Sequence, residues 1–112
     1  MPIELKNKNM AFNIQSVANT NAVAVTYGFN TYSSMIFVNT HATAEVTIDL
    51  YIKNSGGTIV AYFLNNVKIP NGTSLKLEQD EFSFNNNLYT LYIDSDHASG
   101  AIDIISRRKY DK

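Results

Sequence analysis

The sequence predicts an all-β chain, folded as an antiparallel β-sandwich of Ig-like or jelly-roll type with about seven to nine strands. Three observations lead there. The stretch EVTIDLYIK (residues 45–53) alternates Val46, Ile48, Leu50 and Ile52 with Thr47, Asp49, Tyr51 and Lys53, the two-residue period of a half-buried strand. Turn-forming residues recur about every ten positions between β-branched and aromatic runs, as they do in sandwiches of short strands. No window of the chain sustains a helical period.

The elements follow in order. AFNIQSVA and AVAVTYG, split by NTN, read as two weaker strands in the N-terminal third. SSMIFVN (residues 33–39) is a strand that stops at the polar break NTHATA. The alternating strand 45–53 ends at NSGG, a turn whose glycines permit positive φ. TIVAYFL (residues 58–64) then returns as the second arm of a hairpin. NNVKIP and TSLKLE are two further short strands. Between them, Pro70 cannot donate to a ladder and Asn71-Gly72 makes a corner. Val67, Ile69, Leu75 and Leu77 are expected to supply core. FSF (residues 82–84) is short, NLYTLYID (87–94) is strand-like, DSDHASG is a loop, and AIDIISRR (101–108) is the last strand.

A chain of 112 residues is the usual size of one domain. The whole of 1–112 reads as a single domain, with 1–10 as a polar N-terminal arm that orders against a neighbour. Charged residues make up only 17% and the net charge is −1. The polar surface is therefore built largely from Asn, Ser and Thr, and it repels other copies weakly. Nucleic acid is not an expected partner, because no concentrated basic face is visible. The one basic run is Arg107, Arg108 and Lys109. It reads as a solvated strand end or as a contact to an acidic partner. The chain has no cysteine, which excludes disulfides and thiolate metal sites. MPIELKNKNMAF holds no long apolar run, so neither a signal peptide nor a membrane anchor is expected, and synthesis is expected in the cytoplasm.

Candidate chemistry is sparse. His41 and His97 are the two histidines, both in expected loops. DSDH (residues 94–97) places two acids before His97, yet it lacks the later ligands and glycine of a calcium loop. Neither a metal nor a cofactor is expected. No serine sits in a Gly-x-Ser-x-Gly elbow, and the carboxylate pairs Asp80-Glu81 and Asp94/Asp96 fall in turns. The chain is thus expected not to be an enzyme and to have no catalytic residues. A small hydrolase, the rival reading, would need His41 or His97 to meet an acid in a concave pocket. Asn71-Gly72-Thr73 matches a glycosylation sequon but reads as turn chemistry.

Seven tyrosines remain. Tyr51 falls on the outward side of the best strand, and Tyr92 does too if Leu91 and Ile93 point inward. Such rings suit a protein interface or a sugar platform, because they join apolar area to a hydrogen-bonding tip. They also suit plain cross-strand pairing. The expected interface residues are Tyr51, Tyr92, Tyr110, Arg107 and Arg108, together with the N-terminal arm, and homo-oligomerisation through the outward tyrosines is a further expectation.

The core of the chain resembles a set of small β-sandwich virion proteins of tailed bacteriophages. The likeness rests on a strand ending in Asn39, the alternating residues 46–52, the Val67-x-Ile69-Pro70-x-Gly72 corner, Leu91 and Ile93, and the closing run 101–105. It spans residues 33–110, about two-thirds of the chain. The resemblance implies a non-enzymatic decoration or cement protein that binds an assembled capsid. Its partners would be major capsid proteins, or tail or neck proteins, and it would be located in the virion after assembly in the host cytoplasm. The alternatives are a neck or tail accessory protein, or a carbohydrate-binding module for host attachment. The resemblance carries over no catalytic residue.

Overall fold

The structure, a computed structural model, describes residues 12–17, 19–25, 32–78, 84–85, 87–97 and 101–108. Among them are eight strands: β1 (Phe12–Ser16), β2 (Val23–Ala24), β3 (Tyr32–Asn39), β4 (Val46–Lys53), β5 (Ile59–Ile69), β6 (Ser74–Glu78), β7 (Thr90–Ser95) and β8 (Ile102–Arg108). They form two four-stranded antiparallel sheets, ordered β1-β8-β3-β6 and β2-β7-β4-β5.

The pairings are nested. β4 pairs with β5, β3 with β6, β2 with β7 and β1 with β8. The chain is in effect one long hairpin of four-strand arms. Rolling that ribbon brings β8 beside β3 and β7 beside β4, which is the jelly roll. Of the two sandwich types expected, the order therefore selects the jelly roll and excludes the Ig-like arrangement.

Among the described strands, only the β4–β5 link is a hairpin within one sheet. Asn54 closes it: its side-chain oxygen accepts the N–H groups of Gly56 and Thr58, and Gly57 takes φ 86°. The Pro70-Asn71-Gly72 corner does something different. It carries the chain from β5, at the edge of one sheet, to β6, at the edge of the other. Thr73 N–H donates to the Pro70 carbonyl at 3.1 Å, and Gly72 supplies the positive φ of 79° that this turn requires.

Alternation places the core as expected. Val46, Ile48, Leu50 and Ile52 of β4 meet Met35, Phe37, Leu77, Leu91, Ile93, Ile102 and Ile104 in one buried cluster. Burying each aliphatic side chain contributes about 1.5–3 kcal/mol. Ile69 and Leu77 belong to this cluster and Leu75 packs against it, whereas Val67 is only half-buried and lies outside it.

Three boundaries differ from expectation. The expected strands 58–64 and 65–70 are one strand, β5, in which 11 residues pair with the 8 of β4. Three register shifts, near Asp49, Phe63 and Val60, absorb the difference as bulges. Asn66 takes φ 57° at the first of them, and its N–H donates to Asp49 Oδ1 at 2.6 Å. β7 starts only at Thr90, because Leu88 and Tyr89 turn back onto the Asn85 carbonyl. Phe84 is not in a strand, and the rest of the expected strand at 82–84 lies outside the described residues, as do the expected arm 1–10 and Tyr110.

Candidate functional site

The outer face of the β2-β7-β4-β5 sheet carries a row of tyrosines. Register pairs Tyr51 of β4 with Tyr62 of β5 on one side and with Tyr92 of β7 on the other. Tyr51 and Tyr92 stack at 6.0 Å between centroids with their planes 14° apart, and Tyr62 tilts onto Tyr51 at 5.4 Å. Cross-strand aromatic pairs of this kind fix one another's rotamers. The Lys53 ammonium sits over the row, 4.7 Å from the Tyr92 ring centroid and 6.0 Å from that of Tyr51, within cation–π range.

Tyr51 points outward but is not itself exposed: its neighbours leave it 2% accessible. The expectation that Tyr51 offers contact surface is corrected accordingly. It is the buried keel of the row, and Tyr62, 47% exposed, together with half-buried Tyr92 forms the accessible part. The Tyr51 hydroxyl donates to Asp94 Oδ1 at 2.7 Å. Burial, then the hydrogen bond and negative charge of Asp94, raise its ionisation well above the ordinary phenol range. Asp94 also accepts the Ala22 N–H at 2.6 Å, so one carboxylate braces the row and the β1–β2 loop together.

Of the other expected interface residues, Tyr110 is outside the described residues, and Arg107 and Arg108 lie elsewhere. Arg107 is exposed on β8 in the opposite sheet; Arg108 follows it, with its side chain outside the described residues. The structure therefore does not place Arg107 on the tyrosine face. It unites Tyr51 with Tyr92 and adds Tyr62 and Lys53, which the sequence did not single out. An unbulged hairpin from the NSGG turn would have placed Tyr62 opposite Leu50, facing inward. The bulge near Val60 shifts it by one residue onto Tyr51.

The histidines meet at one end of the sandwich, where the β3–β4 and β7–β8 loops converge. Their rings contact edge to face at 4.7 Å. His97 Nδ1 lies 2.8 Å from Asp96 Oδ1, the meeting of histidine and acid that a hydrolase would require. The setting is open, however, with His97 and Asp96 side chains 33% and 50% exposed. His41 Nδ1 accepts two N–H groups, from Thr43 at 3.1 Å and Ala44 at 3.0 Å. That lone pair closes the loop on itself. Among the described residues, no group of three or more His, Asp or Glu side chains is arranged to hold a metal ion.

Beside His41, Asn39 clasps the same end. Its Nδ2 donates to the Ala44 and Ile69 carbonyls, both at 2.9 Å, and its Oδ1 accepts the His41 N–H at 2.8 Å. Asn71 Nδ2 donates to the His41 carbonyl at 2.8 Å. The loops at this end are thus stitched to one another and to the edge of β5. Among the described residues, no helix is long and apolar enough to cross a membrane. No family model, curated protein or solved structure matches the chain.

Proposed function

We propose that this chain is a non-enzymatic virion protein of a tailed bacteriophage. It decorates the assembled capsid by docking the tyrosine face of its β2-β7-β4-β5 sheet onto major capsid proteins. One observation carries the reading: Tyr92 stacks on Tyr51, Tyr62 tilts onto it, and Asp94 holds the central Tyr51 hydroxyl. A surface whose rings are held before contact loses little side-chain freedom on docking, so it suits adhesion. The jelly roll supports the reading as analogy, because viral capsid and lectin domains use it. Repetition of sites on a shell would make a modest interface effective. A neck or tail protein is the alternative partner within the same reading, and the virion, assembled in host cytoplasm, is the location.

The same face favours one second reading, a carbohydrate-binding module. Tyr62 presents an aromatic ring at 47% exposure, and such a ring can stack on a sugar. The test is to mix the purified protein with shells and tails lacking it, and to image them. Saturating symmetric density, lost in Tyr62→Ala with the fold intact, supports the virion role. Absence of binding to shells, necks and tails defeats it; glycan-array binding lost in the same variant would install the sugar reading instead.

A further inference from the structure

The outer face of the other sheet carries a second, different pattern. Register aligns Ile14 of β1, Ile105 of β8 and Ile36 of β3 in one row across the strands, ending at Lys76 of β6. Their inward neighbours Met35, Phe37, Ile104 and Ser106 are buried, so alternation turns the isoleucines outward. Ile14 is 58% exposed, and Ile36, Ile105 and nearby Val38 are half-buried. β8 therefore reads, on this face, Asp103, Ile105, Arg107: an acid and a base spaced equally either side of the apolar row.

That spacing is self-complementary. We propose that a second copy of this chain docks face to face on the isoleucine row, about a twofold axis running along the row. Such an axis maps each isoleucine onto its counterpart. It reverses the strand direction, so Arg107 of each copy faces Asp103 of the other, twice per dimer. Asp103 already accepts the Ser16 hydroxyl at 2.7 Å, and a carboxylate retains lone pairs for an arginine. Lys76 is the one like-charged meeting along the row. It lies at the row's margin, more than half exposed, with Glu78 3.4 Å away.

Area sets the strength. Four strands about 4.8 Å apart and three outward rows about 6.8 Å apart give a footprint of roughly 400 Å² per copy. That is half the size of a standard interface, in the class of weak, transient contacts, so association is sought up to millimolar concentration. The face is distinct from the tyrosine face, so it leaves the latter free in the dimer.

The test is sedimentation equilibrium of the full chain from micromolar to millimolar concentration, with folding of each variant checked by thermal melting. The expected result is a rise in average mass toward twice the monomer. Arg107→Asp and Asp103→Arg should each weaken association about tenfold or more. Mixed together, these two variants should associate about as well as the wild type, since each acid then faces an arginine. Ile105→Lys should abolish association with or without mixing. A wild-type chain that stays monomeric at millimolar concentration overturns the proposal. Failure of the mixture to recover association overturns it as well, because it removes the axis.

Discussion

The Tyr51 hydroxyl donates to Asp94 at 2.7 Å beneath a roof made of Tyr62, Tyr92 and Lys53. A phenol so placed resists ionisation, because burial and a neighbouring carboxylate both penalise the phenolate. Its folded-state ionisation is raised, so its contribution is fully present below about pH 10 and fades as pH rises beyond that. In an alkaline titration followed by phenolate absorbance, Tyr51 should ionise last and together with unfolding. Tyr51→Phe should remove that final step and cost about 1–2 kcal/mol at neutral pH by urea unfolding. A Tyr51 that titrates with the exposed tyrosines would contradict the assignment.

Asn39 satisfies three backbone groups of two segments with one side chain. Asn39→Ala should cost about 2–4 kcal/mol, since buried partners are left without it. Asn39→Asp should cost more at neutral pH, because it aims a carboxylate at the carbonyl oxygens of Ala44 and Ile69. Part of that loss should return in acid, where a protonated carboxyl regains one donor. Equal stability of the two variants across pH would refute the clasp.

Asp96 gives a pH dependence of opposite sign. Partial burial works to raise its carboxyl, but the Thr47 N–H, bonded at 2.9 Å, and His97 outweigh this and lower it. A depressed acid contributes stability above about pH 4 and loses it as pH falls through the folded value. The group is half exposed, so the effect is at most about 1 kcal/mol. Urea midpoints of wild type and Asp96→Asn should differ at pH 7 and converge near pH 2. A gap that persists in acid would show that charge is not its source.

Gly72 isolates a backbone effect. A Cβ there would meet nothing within 4 Å, yet φ is 79°. Gly72→Ala should therefore cost about 1 kcal/mol from conformation alone. Gly56→Ala, whose added carbon would lie 3.4 Å from Asn54 Oδ1 and whose backbone is not left-handed, should be near neutral. Thermal melts that rank the two the other way would remove the corner's need for glycine.

Much of the architecture was legible because burial follows parity. Val46, Ile48, Leu50 and Ile52 alternate in sequence and all face the core. The nested pairing was not legible, because β1 and β8 meet across nearly the whole chain and no local signal encodes that. Tyr62 was missed for a sharper reason: the bulge near Val60 inverts the parity of the residues after it as far as the next bulge. Asn39 was visible as the end of a strand but not as a clasp, since its partners at 69 and 44 converge only in three dimensions. His41 kept its secret in a lone pair, whose direction no residue pattern reports.

The three extra residues of β5 carry a consequence for crowding. β5 is a long margin with Ile59, Val60 and Tyr62 exposed, the kind of border along which foreign strands add and fibres grow. Its kinks interrupt the even spacing of free amides and carbonyls that an incoming strand must match. An edge so kinked should accept an added strand less readily than an even edge with the same exposed side chains.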